Sequence, residues 1–108
     1  MSQYLPKPVD TSRVPLNDDV TSRIEILARN VHDNWALLKM DEGWTYASVQ
    51  DDEKKTTPQL VSYDELSDAS KDYDRKTVIE TLKYLELLGF SIGCIPQEGC
   101  GENHDNPR

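Results

Sequence analysis

The sequence predicts an α+β fold that is mainly helical, with two principal amphipathic helices and short antiparallel strands between them. Two runs of helical periodicity carry this prediction, one ending at Gly43 and the other at Gly89. The stretch between the runs is short, charged and interrupted by proline, which is typical of small strands and loops. With 108 residues, 36% of them hydrophobic, the chain has room for one domain with a modest core. We predict that this domain covers residues 1–92 and that residues 93–108 form a flexible tail.

The first segment, residues 1–18, is predicted to be an extended lead-in to the domain. Pro6, Pro8 and Pro15 disfavour helix and bias the residues before them toward extended conformations. Residues 17–19 are Asn and Asp, which favour the start of a helix because they cap free N–H groups.

Helix one is predicted over residues 19–42. Apolar residues recur there at steps of three and four, which is the spacing of a single helical face. Gly43 is suited to the left-handed conformation that ends many helices. The residues of this face are Val20, Ile24, Leu27, Val31, Trp35 and Leu38.

Two short strands are predicted between the helices. The segment 44–49 alternates large and small residues, as strands do. The charged segment 51–58 then forms a loop, and Leu60 and Val61 form a second strand antiparallel to the first.

Helix two is predicted over residues 74–88. Ser67 and Asp74 are both suited to N-cap positions, which allows a short helical turn before helix two. It ends at Gly89. We expect Leu82 to be buried against Leu27 of helix one. The broad apolar face of helix two consists of Val78, Ile79, Leu82, Leu85 and Leu88.

The charge of the chain restricts its partners. The formal net charge is -8, whereas nucleic acids and anionic membranes select basic surfaces, so neither is expected as a partner. The first residues contain neither a basic nor an apolar stretch of the kind found in secretory signals, which leads us to expect a cytoplasmic protein. Ten acidic residues lie between Asp41 and Asp74 against three lysines, so this part of the domain is expected to be acidic.

Trp35 is the most informative candidate for a binding residue, and it has two interpretations. It lies on the apolar face of helix one, where a large apolar side chain is usually part of the core. It also shares a more polar stripe with Ala28, His32 and Lys39 at helical spacing, which would leave one face of the indole ring free for stacking. The core interpretation is favoured from the residues alone.

The other polar residues give no pattern of catalysis or metal binding. His32 and Asp33 are adjacent on a helix and therefore point about 100° apart, so a surface or capping role is favoured for His32. The acidic segment 51–53 lacks the spacing of a calcium loop, and the histidine and two cysteines of the tail lack the spacing of a zinc site. No nucleophile motif or phosphate-binding loop is present. We expect no enzymatic activity, no metal and no cofactor.

Four motifs occur in order along the chain: KPVDTSRVPL, ARNVHDNWAL, GWTYASVQDDEKKTTPQLVSYDEL and ETLKYLELLGFSI. Together they resemble the ryanodine receptor repeat, or RyR domain, over residues 4–92. Ryanodine receptors carry these repeats in tandem pairs, and small prokaryotic proteins carry a single copy, as is seen here. The resemblance implies an α+β unit that pairs with a second unit about a two-fold axis.

The resemblance also implies two functions. The first is a non-enzymatic interaction module that forms a homodimer or binds another protein. The alternative is a sensor of adenine nucleotides or their derivatives, because the equivalent tryptophans of paired receptor repeats flank an adenine. Carried over to this chain, Trp35 would stack on the base beside His32, and Lys39 or Arg29 would contact the phosphates.

Overall fold

A computed structural model describes residues 3–92 of the chain, so the predicted tail lies outside the described residues. The elements are α1 (Asp18–Thr21), α2 (Ile24–Asp41), β1 (Thr45–Tyr46), β2 (Thr56–Thr57), a 3-10 turn (Tyr63–Glu65) and α3 (Asp68–Leu87). The two long helices, α2 and α3, pack against each other, and the 3-10 turn packs on α2. The predicted mainly helical α+β class is therefore confirmed. No helix within residues 3–92 combines the length and apolar character needed to cross a membrane.

Helix one of the prediction is divided into α1 and α2. The side chain of Asn17 caps α1 by accepting a hydrogen bond from the N–H of Val20. The hydroxyl of Ser22 and the guanidinium of Arg23 both donate to the carbonyl oxygen of Asp19. These side chains compete with the regular backbone ladder, and the chain leaves helical geometry at Arg23 before α2 begins.

Both long helices end at the predicted glycines. Gly43 follows α2 with a φ of +96°, a conformation that a side chain would strain. The N–H of Trp44 then donates to the carbonyl of Lys39, which satisfies a carbonyl left free at the helix end. Gly89 follows α3 with a φ of +104° and the same pattern of hydrogen bonds.

The prediction of antiparallel strands, with the second at Leu60 and Val61, is wrong. The second strand is β2, and it lies parallel to β1 with Thr45 opposite Thr56. The reason is that Thr56 already pairs in the antiparallel sense with Asp51, through two backbone hydrogen bonds of 3.0 Å. The chain therefore reverses direction twice between β1 and β2, once before Asp51 and once after it, whereas the single hairpin of the prediction would reverse it once.

Helix α3 begins six residues before the predicted start at Asp74. Ser67, one of the two predicted N-caps, accepts a hydrogen bond from the N–H of Ser70 and so starts the helix. Asp74 consequently lies inside α3, where it faces α2 and is half-buried.

The buried face of α2 is rotated from the predicted one. Ile24, Ala28 and His32 are buried, at successive steps of four residues. Leu27 and Leu38, which were assigned to the apolar face, are 38% and 62% exposed. The expected burial of Leu27 against Leu82 is therefore wrong. The centre of the core is formed by Ala28, Tyr63 and Leu66, with Val61 packed against them.

Tyr63 is the largest fully buried side chain of the described residues, at 2% exposure. Truncation of a buried aromatic ring leaves a cavity, so we expect Tyr63→Ala to lower the free energy of unfolding by about 3–5 kcal/mol. Tyr73 on α3 is 78% exposed and provides a matched control, because Tyr73→Ala removes the same atoms from the surface. Urea denaturation measures both changes. Equal losses in the two variants would contradict this description of the core.

Candidate functional site

An aromatic cluster of His32, Trp35 and Tyr63 lies between α2 and the 3-10 turn. The imidazole of His32 is stacked on the indole of Trp35, with ring centroids 5.6 Å apart and planes inclined by 25°. The imidazole also lies near the ring of Tyr63, with ring centroids 6.4 Å apart in a tilted arrangement. His32 and Trp35 are one turn apart on α2, which places both rings on the side of the helix that faces the core. Trp35 is half-buried, so part of its ring contacts solvent.

His32 is 4% exposed, which contradicts its assignment as a surface or capping residue. Its Nε2 atom lies 2.7 Å from the carbonyl oxygen of Val61. Because a carbonyl can only accept, Nε2 carries the hydrogen and donates it. This bond lets a polar ring occupy the core face of α2, since a buried polar group is tolerated once it is hydrogen-bonded. With Nε2 bonded to Val61, the other ring nitrogen of His32, Nδ1, faces α3.

Asp74 of α3 is the group opposite that nitrogen. Its Oδ2 atom lies 4.0 Å from Nδ1 of His32, and its side chain is 18% exposed. Burial disfavours the charged carboxylate and raises the pKa of Asp74, while the nearby His32 acts in the opposite direction. The pKa of Asp74 is raised overall, so the folded state holds the charged carboxylate at a cost in free energy.

A second polar network joins the hydroxyl of Tyr63 to both long helices. The hydroxyl donates to Oε1 of Glu25 on α2 at 3.0 Å, and Arg75 of α3 donates from Nε to Oε2 of the same carboxylate. Arg75 also donates from Nη1 to Asp72 at 2.7 Å. The bond from Arg75 holds the pKa of Glu25 below its usual value. Burial, followed by the contact with Glu25, raises the pKa of the Tyr63 phenol.

Arg29 lies at the aromatic cluster, next to Tyr63. Its guanidinium carbon lies 5.0 Å from the centre of the Tyr63 ring, and Nη2 donates to Oδ1 of Asp64 at 3.0 Å. The pKa of Arg29 is raised chiefly by this hydrogen bond to Asp64. The side chain is 46% exposed and so remains accessible from solvent.

Lys39 is directed toward the second tryptophan. Its ammonium nitrogen lies 5.1 Å from the centre of the Trp44 ring and 3.9 Å from Oε1 of Glu42. Trp44 is half-buried at the end of α2, one residue after Gly43. The predicted site residues therefore fall into two places, with Arg29, His32 and Trp35 around the aromatic cluster and Lys39 at Trp44.

Two members of the site, Tyr63 and Asp74, were not predicted. Tyr63 lies in a 3-10 turn, whose contacts cannot be read from a helical or alternating pattern. Asp74 was interpreted as an N-cap, and no local signal shows that it faces a histidine forty-two residues earlier. Among residues 3–92, no three His, Cys, Asp or Glu side chains are grouped to hold a metal ion.

The raised pKa of Asp74 predicts a dependence of stability on pH. A carboxyl group with a raised pKa in the folded state binds its proton more tightly there than in the unfolded chain. Its contribution to stability is therefore fully present at low pH and is lost as pH rises through the folded pKa. We expect Asp74→Asn to melt above the wild type at about pH 7, and the difference to shrink toward about pH 4. Thermal melts of both proteins across this range test it, and a variant that melts lower at neutral pH would contradict it.

The sequence that forms these elements matches a known family. Residues 4–94 of the 108-residue chain match the RyR domain family, which covers α1, α2, both strands, the 3-10 turn and α3. The match includes the aromatic cluster and the glycines that end both long helices. The chain is therefore a member of the RyR domain family and consists mainly of a single RyR domain.

Proposed function

We propose that this RyR domain is a non-enzymatic interaction module that pairs with a second copy of itself through the outward face of α2. The supporting observation is a stripe of apolar side chains on the side of α2 opposite the core. These five residues are between 38% and 62% exposed, whereas the core side of the same helix is buried. The outward stripe consists of Ile26, Leu27, Leu37, Leu38 and Met40.

The stripe consists of two apolar groups at similar angles around the helix, separated by the exposed polar residues Asn30, Asp33 and Asn34. Residues eleven apart lie at nearly the same angle around an α-helix, so Ile26 aligns with Leu37 and Leu27 aligns with Leu38. Concentration of exposed apolar side chains on one face is a feature of protein interfaces more than of free surfaces. In a two-fold pairing, the N-terminal end of the stripe on one copy would contact the C-terminal end of the stripe on the other copy. The patch is therefore self-complementary.

Asp33 lies near the middle of this stripe and is exposed. In a two-fold pairing the middle of the stripe lies next to the axis, so the two Asp33 carboxylates would approach and repel each other. This arrangement favours a weak, reversible dimer over a permanent one. It also provides a second way to test the surface, because removal of the charge should strengthen pairing.

We expect Leu38→Glu to shift the protein toward monomer and Asp33→Asn to shift it toward dimer. Sedimentation velocity over a series of protein concentrations measures both shifts. Leu5→Glu is the matched control, because Leu5 is 68% exposed and lies outside α2, in the lead-in. The control should behave as the wild type. A wild-type protein that stays monomeric at every concentration would overturn self-pairing, and a dimer insensitive to both α2 variants would place the interface elsewhere.

A second function, binding of an adenine-containing molecule, is supported by the state of Trp35. One part of the indole is held by the stack on His32, while the half-buried ring keeps contact with solvent. A ring that is fixed in this way loses little freedom when a base stacks on it. Arg29 is the nearer candidate for a phosphate contact, because it lies at the aromatic cluster, whereas Lys39 is directed toward Trp44. A phosphate would compete with Asp64 for the Arg29 guanidinium.

The net charge of -8 opposes polyanionic ligands, so AMP and ADP-ribose should bind better than ATP. Base stacking on an aromatic side chain contributes about 1–3 kcal/mol, and we expect Trp35→Ala to weaken binding by the corresponding factor. Titration calorimetry measures the affinities, after circular dichroism has established that the variant is folded. Tyr46→Ala is the control, since Tyr46 is 57% exposed and lies on β1. No heat from the wild type at millimolar ligand would exclude this function.

A further inference from the structure

The outward face of α2 is symmetric about the level of residue 32 in the kinds of residue that it carries. Ile26 and Leu38 lie at equal distances on either side of this level, and they are 55% and 62% exposed. Leu27 and Leu37 also lie at equal distances from it, at 38% and 60% exposure. In a two-fold interface, residue i of one copy contacts residue j of the other, and residue j contacts residue i. Two antiparallel α2 helices with their axis at this level therefore bring apolar residues opposite apolar residues.

The polar residues within the stripe follow the same symmetry. Asn30 and Asn34 lie at equal distances on either side of residue 32, and both are exposed. Since a helix turns by about 100° per residue, Asn30 lies about 40° around α2 from Ile26, and Asn34 lies about 20° from Leu27. Both amides consequently lie on the outward face, between the two apolar groups.

The two amides are complementary to each other as donor and acceptor. Nδ2 of Asn34 donates to the backbone carbonyl of Asn30 within the helix at 3.0 Å, so Oδ1 of Asn34 is directed away from that bond and can accept another. The exposed side chain of Asn30 supplies a donor, its own Nδ2. Antiparallel pairing about residue 32 places Asn30 of each copy opposite Asn34 of the other. Two symmetric hydrogen bonds can then form near the centre of the interface.

Opposite charges lie at the two ends of the stripe. Arg23 is the N-cap residue of α2 and Asp41 is its last residue, again at equal distances from the level of residue 32. Neither forms an ion pair with another of residues 3–92. The Arg23 guanidinium donates from Nη1 to the carbonyl of Asp19, and its remaining N–H groups can bind a carboxylate. Antiparallel pairing brings Arg23 of each copy opposite Asp41 of the other, whereas parallel pairing would bring like charges together at both ends.

Other antiparallel registers match the two copies less well. A shift of one helix by four residues, about one turn, places Asn30 opposite Leu38 in one direction and Asn34 opposite Ile26 in the other. An amide that is buried against an apolar side chain loses its hydrogen bonds to water without gaining a partner. Polar residues in the seam between two helices fix the register of coiled coils for this reason.

We infer that two copies of the chain pair through antiparallel α2 helices with the two-fold axis at the level of residue 32, and that Asn30 and Asn34 fix this register. The register presupposes the self-pairing proposed above, and it adds the orientation of the helices and the residues that specify it. Ion pairs between Arg23 and Asp41 at both ends select against helices that lack this order of charges.

Disulfide trapping between single cysteines tests the orientation and the register. Cys94→Ser and Cys100→Ser first remove the native thiols, and one protein then carries Ile26→Cys while a second, isotope-labelled protein carries Leu38→Cys. A disulfide requires Cα atoms within about 7 Å of each other. Under mild oxidation we expect disulfides between the two proteins and few within either protein alone. Intact mass spectrometry distinguishes the products by the label, and Leu27→Cys with Leu37→Cys provides an independent second pair.

The outcomes separate this register from self-pairing itself. Disulfides within each protein alone, without any between the two proteins, would show parallel helices and overturn the inference. Equal amounts of both kinds would show that the register is not fixed. A wild-type dimer in sedimentation with no disulfide at either cysteine pair would also overturn the register, although self-pairing in another arrangement would stand. A wild-type protein that is monomeric at every concentration would overturn self-pairing.

The role of the asparagines is tested by Asn30→Leu combined with Asn34→Leu. This change removes both amides and makes the centre of the stripe apolar, so we expect the dimer to be retained while other registers become accessible. Trapping should then give disulfides within each protein as well as between the two. An unchanged preference for disulfides between the two proteins would overturn the role of Asn30 and Asn34.

Charge reversal tests the ends of the stripe. Arg23→Glu and Asp41→Arg should each weaken dimerisation about three- to tenfold, because like charges replace the opposite pair at both ends. The two changes in one chain restore opposite charges, so we expect a dissociation constant within about twofold of the wild type. Arg13→Glu, at an exposed residue of the lead-in, is the matched control for net charge and should behave as the wild type. Sedimentation velocity measures all four variants, and a double variant weaker than either single variant would contradict the ion pairs and the register.

Discussion

The burial of the Tyr63 ring is the interaction on which the rest of the domain depends. The ring packs against Ala28 and Leu66, and its hydroxyl binds Glu25, which in turn accepts from Arg75. A single side chain of a short 3-10 turn is thus connected to both long helices. Two cations lie near the ring, with Arg29 at 5.0 Å and Lys71 at 5.5 Å from its centre. Because Ala28 has no bulk, the turn can approach α2 closely enough for these contacts.

The general class, the two long helices and their C-terminal ends were predictable because they depend on local rules. Gly43 and Gly89 end α2 and α3 with positive φ, as their positions after periodic runs indicate. The direction of the strands was not predictable, since it depends on an additional chain reversal between β1 and Asp51. A two-residue strand carries too little pattern to specify its partner.

The candidate site was also predicted only in part, because some of its contacts join residues that are distant in sequence. Trp35 and Arg29 were selected by spacing and by family resemblance, and both lie at the aromatic cluster. The burial of His32 depends on the carbonyl of Val61 and on Asp74, which are distant in sequence. Hydrophobic periodicity assigns a histidine to the surface, whereas a specific hydrogen bond allows it to be buried. The face of α2 that packs inward was therefore misassigned, and Leu27 and Leu38 lie outside the core.

The side chain of Asn17, at the start of α1, donates to the carbonyl of Ile92 at 2.7 Å across 75 residues of sequence. The same side chain caps α1, so one amide joins the beginning of the first helix to the chain just beyond α3. The points where the chain enters and leaves the helical part of the unit are consequently neighbours in space. A unit of this shape can be inserted into a loop of a larger protein, or repeated along a chain, without separating the segments on either side.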